Sequence, residues 1–236
     1  MSSKPAATGA AVVGPRIALI HALEESVVPA RTAFRKNWPD ADAFDLLDTS
    51  LAVDLARKGR LDSSIMDRFQ TLSDYVLRSG AKSNPLRGIL FTCSAFRPAI
   101  DAVKAVMPIP VLRPNESAFR DACRLGRRIG LLVTFQPSLG GLRRELEQMA
   151  AEQGKSVEVT GAVAGNALEA LKRGDPDEHD RIVAEAASGL ADIDVLVLGQ
   201  FSLARASGRV KAVVDLPVVT TPDAAVCELK RRVLPL

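Results

Sequence analysis

The sequence predicts an α/β fold in which parallel sheets are covered by helices, and in which two duplicated halves follow one another along the chain. Short apolar runs alternate with helical patterns, an order that is typical of parallel sheets. The segment Val103–Val106 (VKAV) and the pair Pro110–Val111 recur, at one and the same offset, as Val210–Val213 and Pro217–Val218. A shared offset of this kind indicates an internal duplication.

In the first half, each apolar run has the length of a buried strand, and most of these runs are followed by a helical pattern. Pro29 lies in the first turn of its predicted helix, where its missing N–H is tolerated. Asp62 is placed to cap a helix whose apolar residues repeat at helical spacing. The predicted strands are Arg16–Ala22, Ala43–Leu47, Gly88–Cys93 and Ile109–Leu112, and the predicted helices are Glu24–Trp38, Asp62–Ser79, Phe96–Val106 and a helix from Asn115 or Ser117 to Arg124.

The second half restarts the same order of strand and helix. Apolar runs again predict buried strands, and the segments between them predict helices that cover the sheet. The predicted strands are Arg128–Thr134, Ser156–Val163, Val195–Gln200 and Leu216–Thr220, and the predicted helices are Ser138–Gln153, Asn166–Arg173, Pro176–Leu190 and Pro222–Leu234.

Composition excludes several classes of protein. The three cysteines are an odd number without metal-ligand spacing, and with two histidines they predict reduced thiols, no metal site and a cytoplasmic location. A net charge of +3 and few aromatic residues argue against nucleic-acid binding. No stretch reaches the ~18 apolar residues of a membrane span, so no membrane partner is expected. Residues 1–14 are predicted to be a disordered tail.

Cys93 stands where the apolar run from Gly88 ends in small polar residues. Ligands of open α/β sheets bind beyond the carboxyl ends of the strands, so a thiol at this place is well sited for acid/base chemistry. A half-buried structural cysteine is the alternative. The offset of the repeat pairs Cys93 with Gln200, and it pairs Glu116 with Asp223.

Two segments at the ends of equivalent strands, Phe91–Ala95 (FTCSA) and Leu198–Leu203 (LGQFSL), carry a resemblance to a known family. Two further features follow in the same order, namely Pro110–Val111 with Glu116 and Val133–Thr134 with Gln136. In these segments the chain resembles the aspartate/glutamate racemase superfamily, which also contains hydantoin racemases, maleate isomerases and arylmalonate decarboxylases. The resemblance extends over residues 16–234.

The resemblance implies two pseudo-symmetric lobes with the active site in the cleft between them, no cofactor, and two cysteines on opposite faces of a substrate α-carbon. Cys93 matches the first cysteine, whereas Gln200 stands in the place of the second. An amide cannot carry a proton near neutral pH. Residues 15–113 with 222–236 are expected to form lobe 1, and residues 114–221 to form lobe 2.

Cys93 and His21 are the predicted catalytic residues. His21 ends the first strand at the same rim, and its unperturbed pKa near 6.5 suits acid/base work. A strand-end histidine held only by hydrogen bonds is the alternative, and a substrate-orienting role is a third reading. The residues expected to bind the substrate are Thr92, Ser94, Thr134, Gln136, Gln200, Ser202 and Glu116.

The resulting hypothesis is a cofactor-independent racemase or isomerase that acts at the α-carbon of a small carboxylate or amino acid, with Cys93 as acid/base. A single-cysteine decarboxylase of a malonate-type acid and a non-catalytic protein that binds a small carboxylate are the alternatives. Homo-oligomer formation stays open. Outside the site, Cys123 and Cys227 are expected to be packing residues, His179 a solvated residue at a helix start, and Asp223 a helix cap.

Overall fold

The structure, a computed structural model, describes residues 14–234. Within these residues the chain forms eight strands and ten α-helices, and three 3-10 turns lie at 24–26, 94–96 and 201–206. The strands are β1 (Arg16–His21), β2 (Asp42–Leu47), β3 (Leu86–Phe91), β4 (Val111–Leu112), β5 (Arg128–Val133), β6 (Glu158–Val163), β7 (Val195–Leu198) and β8 (Val218–Thr220). The helices are α1 (Val27–Asn37), α2 (Ser50–Lys58), α3 (Ser63–Leu77), α4 (Arg97–Val106), α5 (Glu116–Leu125), α6 (Gln136–Glu152), α7 (Ala167–Lys172), α8 (Pro176–Ser188), α9 (Ser207–Val213) and α10 (Thr221–Val233).

The strands form two parallel sheets of four, with the orders β2-β1-β3-β4 and β6-β5-β7-β8. The registers correspond as well, since Ile20 pairs with Phe91 in the first sheet and Leu132 pairs with Leu198 in the second. Phe91 and Leu198 are related by the same offset as the two copies of the sequence repeat. The predicted α/β class with two equivalent parallel sheets is therefore confirmed.

Helices α5 and α10 each follow the last strand of one sheet but pack against the other sheet. Phe119 of α5 lies in an apolar core with Leu131 and Val197 of the second sheet. Leu229 of α10 lies in a core with Leu19 of the first sheet. The two helices also contact each other, so they connect the two sheets. The exact lobe boundaries at residues 113 and 222 stay predictions.

The sequence pattern predicts most of these elements to within a few residues. Asp62 caps α3 as expected, because its side chain accepts a hydrogen bond from the Ile65 N–H. Helices α2 and α9 are not among the predicted elements. Gly59, with a φ of 66°, ends α2 in the left-handed conformation that favours glycine. Residues 1–13 of the predicted tail lie outside the described residues.

Two expectations about isolated side chains are wrong. His179 is fully buried rather than solvated, because it lies on the same face of α8 as the buried residues Val183 and Ala187. Asp180 accepts a hydrogen bond from its ring. Cys227 is exposed on α10 rather than packed, because it lies on the helix face turned away from the sheet. Cys123 is buried in the core of the second sheet, as predicted.

Among the described residues, no helix has the length and apolar character needed to cross a membrane.

Candidate active site

The carboxyl ends of β3 and β7 lead to equivalent positions. Cys93 and Gln200 both have extended backbones, with φ, ψ of −117°, 118° and −139°, 150°, and each is followed by a 3-10 turn and then a helix. The residues before them make equivalent hydrogen bonds, from the Thr92 N–H to the Ile20 carbonyl and from the Gly199 N–H to the Leu132 carbonyl. The structure thus places Cys93 and Gln200 as counterparts in the two halves.

Both residues line one cavity, which we call the central cavity. Its open volume is about 40 Å³, room for a few water molecules at ~10–15 Å³ each. A ligand the size of an amino acid therefore needs the surrounding segments to separate. The lining residues are Leu23, Glu25, Ser26, Thr92, Cys93, Ser94, Asn115, Thr134, Leu168, Gln200, Phe201 and Ser202.

Cys93 presents a protonated thiol in this cavity. Burial raises the pKa of the thiol to about 11, and a hydrogen bond from the Ala95 N–H opposes only part of that rise. The thiol is therefore neutral near pH 7. In this state it can donate a proton, and it acts as a base only where a bound ligand or a higher pH favours the thiolate.

Gln200 is fixed by Thr134, which follows the end of β5. Its Oε1 accepts hydrogen bonds from the Thr134 N–H at 2.6 Å and from the Thr134 hydroxyl at 2.8 Å. Because a backbone N–H can only donate, these contacts determine which way the amide points. The Nε2 group of Gln200 is left to donate hydrogen bonds to a ligand.

His21 does not line the central cavity. Its side chain is fully buried, with Nε2 3.1 Å from Asp45 Oδ1 and Nδ1 within 3.0 Å of the hydroxyls of Ser26 and Thr92. Asp45 in turn accepts a hydrogen bond from Arg31. The carboxylate of Asp45 favours the tautomer in which Nε2 carries the proton, so that Nδ1 accepts a hydrogen bond from a hydroxyl.

Two hydroxyl groups connect His21 to the wall of the central cavity. Burial lowers the pKa of His21, although the hydrogen bond and charge of Asp45 oppose that shift. The imidazole is therefore neutral near pH 7, and it holds the Thr92 and Ser26 hydroxyls that reach the cavity. The prediction that His21 exchanges a proton with the substrate stays a prediction, since Thr92 and Ser26 stand between the ring and the cavity.

Asn115 lines the cavity and was expected only as a helix start. Its Nδ2 donates to the Gly199 carbonyl at 3.1 Å, so it links the β4–α5 connection to the end of β7. Its Oδ1 is buried without a hydrogen-bond partner among the described residues. An unpartnered buried acceptor destabilises the empty state, and a donor group of a ligand would satisfy it. The sequence signal for this role is weak, because asparagine before a helix is common as a cap.

Glu25 is a second lining residue that the sequence pattern does not single out. It lies in the 3-10 turn before α1 and is partly exposed. With Cys93, it is one of two side chains along the central cavity that carry an acidic group, whereas the hydroxyls and amides around them do not ionise near neutral pH. The signal that could have found it is its place shortly after the end of β1.

A family model for Asp/Glu/hydantoin racemases matches residues 7–229 of the sequence. The chain belongs to the Asp/Glu/hydantoin racemase family. It is accordingly an enzyme of the racemase type, as the sequence resemblance predicts. A comparison with curated proteins gave no match.

Solved racemase structures share the fold at low sequence identity. An aspartate racemase from Picrophilus torridus is 12% identical with a TM-score of 0.71, over 93% of this chain and 94% of that one. A glutamate racemase from Bacillus anthracis is 16% identical with a TM-score of 0.67, over 92% and 81%. An allantoin racemase from Pseudomonas fluorescens is 16% identical with a TM-score of 0.66, over 91% and 89%.

Within this racemase fold, two predicted substrate-binding residues do not reach the central cavity. Glu116 is 2% exposed and is held by Lys104 Nζ at 2.6 Å and Arg113 Nε at 3.1 Å. Gln136 is the exposed first residue of α6. Neither side chain lines the central cavity, so their contact with substrate stays a prediction. The structure does bring together Thr92, Cys93, Ser94, Thr134, Gln200 and Ser202.

Proposed function

We propose that this enzyme acts without a cofactor at the α-carbon of a small carboxylate or amino acid, and that Cys93 exchanges the proton. The observation that carries this proposal is the thiol of Cys93 on the wall of the central cavity, with hydrogen-bond donors around it. The family match supports chemistry at such a carbon. The structural neighbours are racemases of glutamate, aspartate and allantoin.

The donors around Cys93 suit an enediolate. When a proton leaves a carbon next to a carboxylate, negative charge develops on the carboxylate oxygens, and fixed donors that face those oxygens lower the barrier. Ser94 and Ser202 present hydroxyls to the cavity, and Gln200 presents the Nε2 group that Thr134 leaves unused. These three side chains come from both halves, so a substrate held by them lies between the two sheets.

The type of reaction depends on which side chains along the cavity can donate or accept a proton. Racemisation needs a base on one face of the α-carbon and an acid on the other, or one group that serves both. Gln200, the counterpart of Cys93, cannot serve. Glu25 is the other side chain along the cavity that can supply or take a proton. We therefore propose Cys93 and Glu25 as the pair that a two-base reaction would use.

A single-cysteine decarboxylase is the second candidate, and the protonated state of Cys93 favours it. In this reaction the bond between the α-carbon and one carboxylate breaks and carbon dioxide leaves. The remaining enediolate then takes a proton from the thiol, and the thiolate recovers its proton from solvent. Only one proton donor is needed, and a thiol with a pKa of about 11 holds its proton at neutral pH.

Solvent isotope exchange separates the two candidates. The protein is incubated in deuterated water with single enantiomers of amino and hydroxy acids, and separately with disubstituted malonates. We expect deuterium at the α-carbon of at least one acid, with loss of exchange in Cys93→Ala and impairment in Glu25→Gln. Release of carbon dioxide without exchange would instead support the decarboxylase and leave Glu25→Gln active. Ligand-induced thermal stabilisation with neither reaction would point to a binding protein.

A further inference from the structure

A second cavity, of about 570 Å³, lies between α5 and α10. Arg120 and Arg124 of α5 and Arg231 and Arg232 of α10 line it. None of these residues lines the central cavity. The size leaves room for a small molecule rather than a few waters.

The repeat relates the two helices that line this cavity. The offset of the sequence repeat carries Arg124 onto Arg231 and Asp121 onto Glu228, and all four residues line the cavity. The same offset carries Cys93 onto Gln200 in the central cavity. We call the cavity between α5 and α10 the axial cavity. One of its walls is α5, and the other is α10, the counterpart of α5 in the second copy of the repeat.

Positive charge exceeds negative charge in the axial cavity. Its four arginines face two lining carboxylates, those of Asp121 and Glu228. Glu228 alone is shared by three of the arginines, with Arg232 Nε at 2.7 Å, Arg231 Nε at 2.8 Å and Arg120 Nη1 at 3.3 Å. Asp121 lies 3.5 Å from the fourth arginine, Arg124. Glu116 lies 3.8 Å from Arg232 but is already held by two other cations. The four arginines therefore keep donors and charge for an anion.

A buried hydroxyl on the wall of the axial cavity also lacks a partner. Ser117 is 2% exposed, and its Oγ makes no hydrogen bond within the described residues. It lies one turn before Arg120 and Asp121 on α5, on the same face as the arginines. An anion oxygen would accept the hydrogen bond that this hydroxyl can donate.

We propose that the axial cavity binds a small polyvalent anion, of the phosphate or the polycarboxylate class, between α5 and α10. Planar guanidinium groups bind two oxygens of such an anion at once, and the cavity supplies them from both helices. Because α5 packs on the second sheet and α10 on the first, the bound anion connects the two sheets. It therefore stabilises one relative placement of the halves that enclose the central cavity.

Titration calorimetry at low ionic strength tests the proposal, with inorganic pyrophosphate and citrate as separate probes. We expect saturable binding of at least one probe with a dissociation constant below ~1 mM. The probe that binds more tightly identifies phosphate or carboxylate as the preferred chemistry. Replacing two arginines, in Arg124→Gln/Arg231→Gln, should weaken binding by about 100-fold, roughly tenfold for each lost charge-assisted contact.

Two controls keep this test decisive. Arg57→Gln/Arg60→Gln removes the same charge from exposed positions around the end of α2 and should leave affinity within about twofold. Ser117→Ala keeps every charge and should weaken binding by several-fold. In the unaltered protein, the bound probe should slow alkylation of Cys227, measured by peptide mass spectrometry at constant ionic strength. Absence of saturable binding, or equal losses in the two double variants, would overturn the proposal.

Discussion

The two halves of the molecule have the same strand order but different chemistry where their central strands end. β3 leads to Cys93 and β7 leads to Gln200, through equivalent backbones and equivalent 3-10 turns. One half presents a thiol that can give up a proton, and the other presents an amide that donates only hydrogen bonds. The duplicated backbone thus determines where a side chain stands, whereas each half sets its own proton chemistry.

The two flanks of the central cavity differ in a similar way. On the flank beside Ser94, Arg113 lies 3.1 Å from Glu116 and 3.3 Å from Glu145, and no open volume remains there. On the equivalent flank, Thr220 takes the place of Arg113, and a cavity of about 730 Å³ remains among the neighbouring residues. The first flank is closed by charged side chains, and the second is open.

Small residues account for the open flank. Ala204 lines its cavity at the position equivalent to Arg97 of the closed flank. Ala33 of α1 also lines this cavity. On the closed flank, the corresponding helix is α6, and it presents the larger, charged side chain of Glu145. The open flank also shares Glu25 with the central cavity. We therefore expect a substrate to enter from this side.

The largest expected effect comes from removing the Cys93 thiol, whose counterpart in the second half is the amide of Gln200. Cys93→Ala should lower the rate of the α-carbon reaction by about 10²–10⁴-fold, the usual contribution of a general acid or base. Cys123→Ala, in the core of the second sheet, should keep the rate within about threefold. Rates are measured on the best substrate found by deuterium exchange or carbon dioxide release. Full turnover in Cys93→Ala would remove Cys93 from the mechanism.

A pair of substitutions at equivalent positions tests the contrast between the flanks. Arg113→Ala leaves Glu116 and Glu145, both at most 5% exposed, without their shared cation, and should lower the free energy of unfolding by about 3 kcal/mol. Thr220→Val removes one neutral hydroxyl and no ion pair, and should change it by less than ~1 kcal/mol. Urea denaturation measures both. Equal losses would show that the ion pairs do not distinguish the closed flank.

The substitution Gln200→Ala tests the role of the amide in the second half of the molecule. The substitution removes the donor that faces the cavity and leaves the Thr134 N–H and hydroxyl without their acceptor. We expect the turnover number to fall by about 100-fold, as when one fixed donor to a developing oxyanion is lost. Gln70→Ala, on α3 away from the cavity, serves as the matched control. A change in KM alone would assign Gln200 to ground-state binding instead.

The sequence predicts the fold and half of the site because those features depend on local pattern. Apolar runs, helical spacing and the internal repeat place Cys93 opposite Gln200 before any coordinates are known. Partners brought by tertiary packing carry no such pattern. His21 is buried behind Thr92 and is held there by hydrogen bonds with Ser26 and with Asp45 of β2. No spacing in the sequence predicts that arrangement.

Asn115 and Glu116 show the same limit within one turn of chain. The pattern marks both as the start of a helix, and both are buried. Only the structure shows that Asn115 bonds the Gly199 carbonyl and lines the central cavity, while Glu116 faces Lys104 and Arg113 on the closed flank. The two roles differ because the two side chains leave the start of α5 in different directions. Those directions depend on how α5 packs on the second sheet.

The smallest expected effect is the pH dependence of kcat/KM, about tenfold for each pH unit. It shows whether Cys93 removes a proton from the substrate or delivers one to it. Burial raises the pKa of the free thiol from the ordinary value of 9.0 to about 11. If Cys93 must first remove a proton, kcat/KM increases with pH until about 11, because only the thiolate reacts. If Cys93 only delivers a proton, kcat/KM is level at neutral pH and decreases above about 11.

The pH profile needs a check on folding, because the same group affects stability. A thiol whose pKa is raised in the folded state stabilises that state below pH 9.0, and this contribution is lost as the pH increases to about 11. Circular dichroism at each pH therefore separates unfolding from titration of the reacting thiol. Repeating the profile in Cys123→Ala excludes the other buried thiol, whose pKa burial also raises. A profile without a limb near pH 11 in either protein would show that proton exchange at Cys93 does not control kcat/KM.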